Sequence, residues 1–189
     1  MSHLRTLLWS DRSEPSFESC TLSETDAGFQ IKGVVVLVVD DSPTSIQYEL
    51  TIDSNWHTQR VEVELTQGEK TFSLSLRVDA EKRWWQGESE LVDCRGCLDV
   101  DLSFSPSTNT LAMRRLALAD GEMKAIITAW VQLPDLKVSP FPQQYTRHAS
   151  GEYLFTSLKD DFKAILLVDD LCLVRDYEGL WQSIAQTPR

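Results

Sequence analysis

Two carboxylates and two guanidinium groups lie within twenty residues of each other, in the stretch CLDVDLSFSPSTNTLAMRRL at positions 97–116. Leu98, Val100, Leu102 and Phe104 alternate with Cys97, Asp99, Asp101 and Ser103, a period of two that predicts a strand with one apolar and one acidic face. Two residues along a strand span roughly 7 Å, so Asp99 and Asp101 share a face at that spacing. The chain must then leave the strand, because Pro106 has no amide to donate and Ser105, Ser107, Thr108, Asn109 and Thr110 compete for backbone bonds. Arg114 and Arg115 follow and are the nearest cations for the two carboxylates. Three kinds of chemistry fit: an internal ion-pair network, a polar wall for a ligand, or the acid and base of an inverting glycosidase. A general acid needs a raised pKa and adjacent arginines lower it, so electrostatics places the network first, the ligand wall second and catalysis last.

A second polar group, Gln143, Gln144, Tyr145, Thr146, Arg147 and His148, follows Pro140 and Pro142. Tyr145 and Arg147 share a strand face and could reach one anionic or hydroxyl-rich ligand group, or join the same network. Trp56, in a turn beside His57, could stack on a sugar or cap the end of a sheet. The usual signatures of serine hydrolases, nucleotide-binding loops, zinc proteases and dinucleotide folds are absent. Cys94 and Cys97 form one C-x-x-C with no second ligand pair, and His3, His57 and His148 have no local ligand partners, so no metal or other cofactor is expected.

The elements that must position these residues are strands. Period-two patterns mark Leu4 to Ser10, Phe17 to Thr25, Phe29 to Asp40, Ile46 to Asp53, Arg60 to Thr66 and Thr71 to Val78. They recur at Lys124 to Leu133, Leu136 to Thr146, Gly151 to Leu158, Phe162 to Asp169 and Leu171 to Tyr177. Val34 to Val39 is apolar on both faces, which predicts a strand dry on both sides or one lining an apolar cavity. Of Trp84 and Trp85, one indole should enter the core and the other should stay outside. Leu180, Trp181 and Ile184 stand at helical spacing, predicting a short helix over Tyr177 to Ala185. An antiparallel sheet of roughly a dozen strands cannot stay flat. The predicted fold is therefore all-β, a single domain over residues 1–189 built as a large antiparallel open-sided or part-closed β-barrel.

Composition bounds the partners. The net charge of -11 opposes nucleic acid and anionic membrane surfaces. No run approaches the ~20 apolar residues of a membrane helix, and the N-terminus lacks a secretory pattern, so a cytoplasmic location is expected. Four cysteines are compatible with reduced thiols there.

The central motif resembles the signature of a bacterial family described as putative glycolipid-binding, formerly a family of unknown function. The opening LLW, the segment GVVV, the turn from Asp53 to Trp56, LPDL, QQYTR and DYEGLW fall in the family's order across nearly the whole chain. Ala112 and Glu178 stand where the family pattern has proline, which loosens turns without removing a reacting group. The resemblance implies a half-barrel similar to bacterial lipoprotein carriers, with an apolar interior for a glycolipid. It maps onto Asp99, Asp101, Thr108, Asn109, Thr110, Arg114, Arg115, Tyr145 and Arg147 as the expected ligand-binding residues, with no catalytic role. The expected activity is non-enzymatic binding of a glycolipid or other amphipathic molecule, its acyl chain inside and its sugar or phosphate head at the polar cluster. The alternatives are a sugar-active hydrolase using Asp99 and Asp101, and an interaction module that forms a homodimer through Val34 to Val39.

Overall fold

The computed structural model describes residues 1–187, and its strands form one fifteen-stranded sheet. One antiparallel meander runs through β1 (Ser2–Asp11), β2 (Phe17–Thr25), β3 (Gly28–Val39), β4 (Ser42–Asp53), β5 (Thr58–Gln67), β6 (Lys70–Val78), β7 (Trp84–Gln86) and β8 (Ser89–Glu90). The chain then crosses through β9 (Val100–Leu102) and helix α1 (Asn109–Leu116). A second meander follows: β10 (Met123–Gln132), β11 (Lys137–Ala149), β12 (Glu152–Ser157), β13 (Lys163–Val168), β14 (Val174–Tyr177) and β15 (Trp181–Gln186). Antiparallel pairing of β1 with β15 splices the two halves, and β9 lies parallel to β10 at the far edge.

Alternation fixes the register. On β4, Ile46, Tyr48, Leu50 and Ile52 are buried, and Tyr48 and Leu50 lie opposite Val63 and Val61 of β5. A one-residue slip would turn all of them to water. The paired tryptophans divide as expected: Trp84 is buried with its indole donating to the Cys97 carbonyl (2.9 Å), while Trp85 is half-buried with the guanidinium groups of Arg77 and Arg83 4.7 and 5.6 Å from its ring.

β8 and β9 stand at opposite ends of the strand order, yet residues 91–99 connect them, a reach on the order of 30 Å when extended. The sheet must therefore curl. Thr58 at the start of β5 fastens the returning chain: its amide donates to the Leu98 carbonyl (3.0 Å) and its hydroxyl accepts from the Val100 amide (3.0 Å). β8 and β9 do not pair, so the curl stays open. Phe104 and the α1 residues Leu111, Ala112 and Met113 are buried within the core. Helix α1 thus supplies part of the interior, where the resemblance implied an apolar space for an acyl chain.

Three further differences have simple causes. Tyr177 to Ala185 is not a helix: β14 ends at Tyr177 and Trp181–Gln186 forms β15, because the unpaired edge of β1 offers a ladder along Leu7 to Asp11. Residues 109–116 are helical, entered directly from a 3-10 turn over Pro106–Thr108 that Ser105 caps by accepting from the Ser107 amide and that Pro106 starts. Arg114 and Arg115 occupy the last turn, where the helix dipole favours cations. On β3 the outer face is not dry, since Val34, Val36 and Val38 are 48%, 50% and 42% exposed beside the exposed Phe17.

Candidate functional site

β9 is short, but its pairing with β10 places Asp101 beside Trp130 and so faces both toward the inner side of β11. There Phe141, Gln143 and Tyr145 alternate inward. Across from them stand Phe155 of β12, Tyr177 of β14, Trp181 of β15 and Phe162 from the turn after β12. Asp101, Trp130, Phe141 and these four aromatic residues, with Asn109 and Ser105, surround a pocket of about 210 Å³ that is partly open to solvent, and Gln143 and Tyr145 lie beneath its lining. Its aromatic walls are ordered by ring contacts. Trp130 stacks on Phe141 with centroids 4.6 Å apart, and Phe155 meets Tyr177 edge-on at 6.1 Å.

The floor is polar and directional. Asn109 Nδ2 donates to the Tyr145 hydroxyl (2.8 Å), Tyr145 donates to Gln143 Oε1 (3.4 Å), and Gln143 Nε2 donates to Thr128 Oγ1 (3.1 Å) and to Asp101 Oδ2. Asn109, Tyr145 and Gln143 donate in sequence toward Asp101, which the Gln143 amide therefore stabilises as an anion. Burial opposes that and wins in part: it lifts the Asp101 carboxyl to about 6, Gln143 pulls it down, and the Asp99 charge adds a smaller upward push. Among the described residues nothing hydrogen-bonds Asp101 Oδ1 or the Tyr177 hydroxyl, so both remain available at the pocket.

Asp99 has a different fate. It is 1% exposed, and Arg115 Nε donates to its Oδ1 at 3.0 Å while the Arg115 terminal nitrogen holds Oδ2. This fork answers a carboxylate that burial pushes above its usual range. Arg114 turns the other way, its guanidinium 4.9 Å from the Trp56 ring, which in turn stacks on Phe29 at 4.1 Å. Thr108 accepts from the Leu102 amide (3.2 Å) and Thr110 donates to the Cys172 carbonyl (2.9 Å), tying α1 to β9 and to the turn before β14. Arg147 donates to the Leu118 carbonyl (2.7 Å) and pairs with Asp120.

A second buried cluster lies behind the pocket wall. Glu18 of β2 is fully buried, and Tyr48 and Ser105 both donate to its Oε1, the latter at 2.8 Å. Ser107 Oγ is 2.8 Å from the Tyr48 hydroxyl, and Glu18 Oε2 has no partner. With no cation beside it, burial lifts Glu18 to about 8, so the group is mainly a neutral acid at pH 7. The Tyr48 ring can reach over because Gly33 opposite it has no Cβ: one built there would sit 2.2 Å from the ring.

Of the nine expected ligand residues, the fold brings Asp101, Asn109 and Tyr145 to the pocket and its floor, and sends Asp99, Thr108, Thr110, Arg114, Arg115 and Arg147 into contacts with the protein itself. The two polar groups of the sequence meet because β9 and β11 both flank β10. Sequence reasoning did not single out Glu18 or the aromatic walls. Glu18 was readable in principle, since it keeps phase with the inward Cys20 and Leu22. The walls join six aromatic residues from separate strands and turns, and no local pattern announces that meeting.

A family profile described as Putative glycolipid-binding matches residues 6–183. The crystal structure of a DUF1089 family protein from Pseudomonas aeruginosa is similar over 89% of this chain and 92% of that one, with 34% sequence identity and a TM-score of 0.82. No curated protein matches. No helix among the described residues is long and apolar enough to cross a membrane. With its open, curled sheet and a profile match over nearly its full length, the chain belongs to the family described as Putative glycolipid-binding.

Proposed function

We propose that this protein binds the polar head of an amphipathic, glycolipid-type molecule in the aromatic pocket and does not turn it over. The observation that carries this reading is Asp101 itself, a carboxylate with one uncommitted oxygen at the floor of a pocket walled by rings. Sugars present apolar C–H faces that lie against aromatic rings and hydroxyls that donate to carboxylates. A volume of about 210 Å³ falls below the roughly 300 Å³ at which drug-sized sites begin, which suits one head group rather than a whole lipid. The tail would leave over the exposed Leu158 and Phe162 at the rim. Binding is favoured over hydrolysis because Asp99, the second carboxylate that a paired mechanism needs, is committed to Arg115. Four free thiols favour a reducing, cytoplasmic setting, and the net charge of -11 disfavours a nucleic-acid partner.

The test is native mass spectrometry of the protein with short-chain monohexosyl lipids, run beside assays of their cleavage. Retention of intact glycolipid that is lost in Trp130→Ala supports the reading. Cleavage that stops in Asp101→Asn supports the hydrolase instead, and no retention by the wild type refutes binding.

A further inference from the structure

The pocket's charge narrows its ligand. Among the described residues its charged lining is Asp101 and Asp160, with no Lys, Arg or His. An anionic head, phosphate or carboxylate, would enter against both carboxylates, offset only in part by Lys159 beside the wall. The aromatic wall is already used as a seat for positive charge: Lys159 holds its ammonium 5.2 Å from the Trp130 centroid, while Phe141 covers Trp130 by stacking. Lys159 is an exposed residue of the turn after β12, beside the Asp160 carboxylate on which its charge acts. The ring quadrupole and that carboxylate together hold the ammonium there.

Building on the pocket reading above, we infer that the head group is cationic, an ammonium-bearing sugar or amine that stands over Trp130 and donates to the free oxygen of Asp101, displacing Lys159. An ammonium satisfies both features at once. Its charge interacts with the ring face and is attracted to the carboxylate beyond the hydrogen bond itself. A neutral hydroxyl gains the hydrogen bond alone. Lys159 is then a built-in competitor that keeps the aromatic face occupied when no ligand is present.

Titration of the full chain with glucosamine, glucose and N-acetylglucosamine isolates the charge, because the three share one ring and differ at a single substituent. Binding is read from the tryptophan indole N–H signals in NMR spectra. Glucosamine should bind at least about tenfold tighter than the other two, the change that ~1.4 kcal/mol represents. Asp101→Asn should bring the ratio toward one, and Lys159→Ala, a surface change, should strengthen glucosamine binding several-fold. Equal binding of all three sugars overturns the cationic head while leaving the pocket reading intact. Failure of every sugar to shift the indole signals refutes both.

Discussion

Glu18→Gln isolates a fully buried carboxyl that has no cation beside it among the described residues. The carboxyl is fully buried, its hydrogen bonds come from two hydroxyls, and burial moves it from 4.5 to about 8. A raised folded-state pKa means that the folded protein holds the proton more tightly than the unfolded chain. The associated stability is therefore complete below pH 4.5 and is lost as pH rises through about 8. At 1.36 kcal/mol per unit, the loss over that window is on the order of 5 kcal/mol, and between pH 5 and pH 8 about 4 kcal/mol. Gln keeps the shape and an acceptor for Tyr48 and Ser105 but does not titrate. Urea unfolding of both proteins at a series of pH values gives the difference directly, because every other titrating group cancels. The variant should gain on the wild type steadily from pH 5 to pH 8, ending on the order of 10 °C higher in relative Tm at roughly 2–4 °C per kcal/mol. Parallel stability curves would mean that Glu18 keeps an ordinary pKa in the fold, and the reasoning about its burial would be refuted.

Arg115→Leu leaves Asp99 buried without its cation and should cost about 3–5 kcal/mol, whereas Arg114→Ala removes a ring contact worth about 0.5–1 kcal/mol; chemical denaturation of the pair separates these roles. Gly33→Ala drives a methyl group into the Tyr48 ring and pulls its hydroxyl from Glu18 and Ser107, so a fall in stability of about 1–3 kcal/mol or more is expected in thermal unfolding. Asp101→Asn keeps an acceptor for Gln143 and sheds a desolvated charge, so unfolding at pH 8 should show stability equal to or above that of the wild type. A severe loss of stability there would instead make Asp101 a structural ion.

Most strands were legible because their side chains alternate between core and water; β4 and β5 follow that rule almost residue by residue, and β6 from Leu74 onward, its Phe72 being exposed. The errors share a cause, which is that pairing partners decide what a short segment becomes. Leu180, Trp181 and Ile184 carry a helical spacing, yet the open side of β1 draws them into a strand. The valines of β3 look like a doubly buried run, but a sheet that curls around its own crossover needs only one dry face, and Val34, Val36 and Val38 are left on the other. At the site, the type of chemistry was visible in Asp99 and Asp101, but their different fates were not. Arg115 reaches Asp99 because α1 turns it back toward β9, and Gln143 reaches Asp101 across β10; neither contact has a sequence signal. The pocket walls come from β10, β11, β12, β14, β15 and one turn, so they exist only once the second meander has closed onto β1.

The central claim is that ligands are received between the aromatic walls and Asp101. A crystal structure of the protein grown with a short-chain monohexosyl lipid examines it most directly. The sugar should lie within the ring of Trp130, Phe155 and Tyr177, with one donor on Asp101 Oδ1. Electron density for the head beside Arg114 and Arg115, or in the groove of Lys32, Glu49 and Glu62 on the outer face, would contradict it.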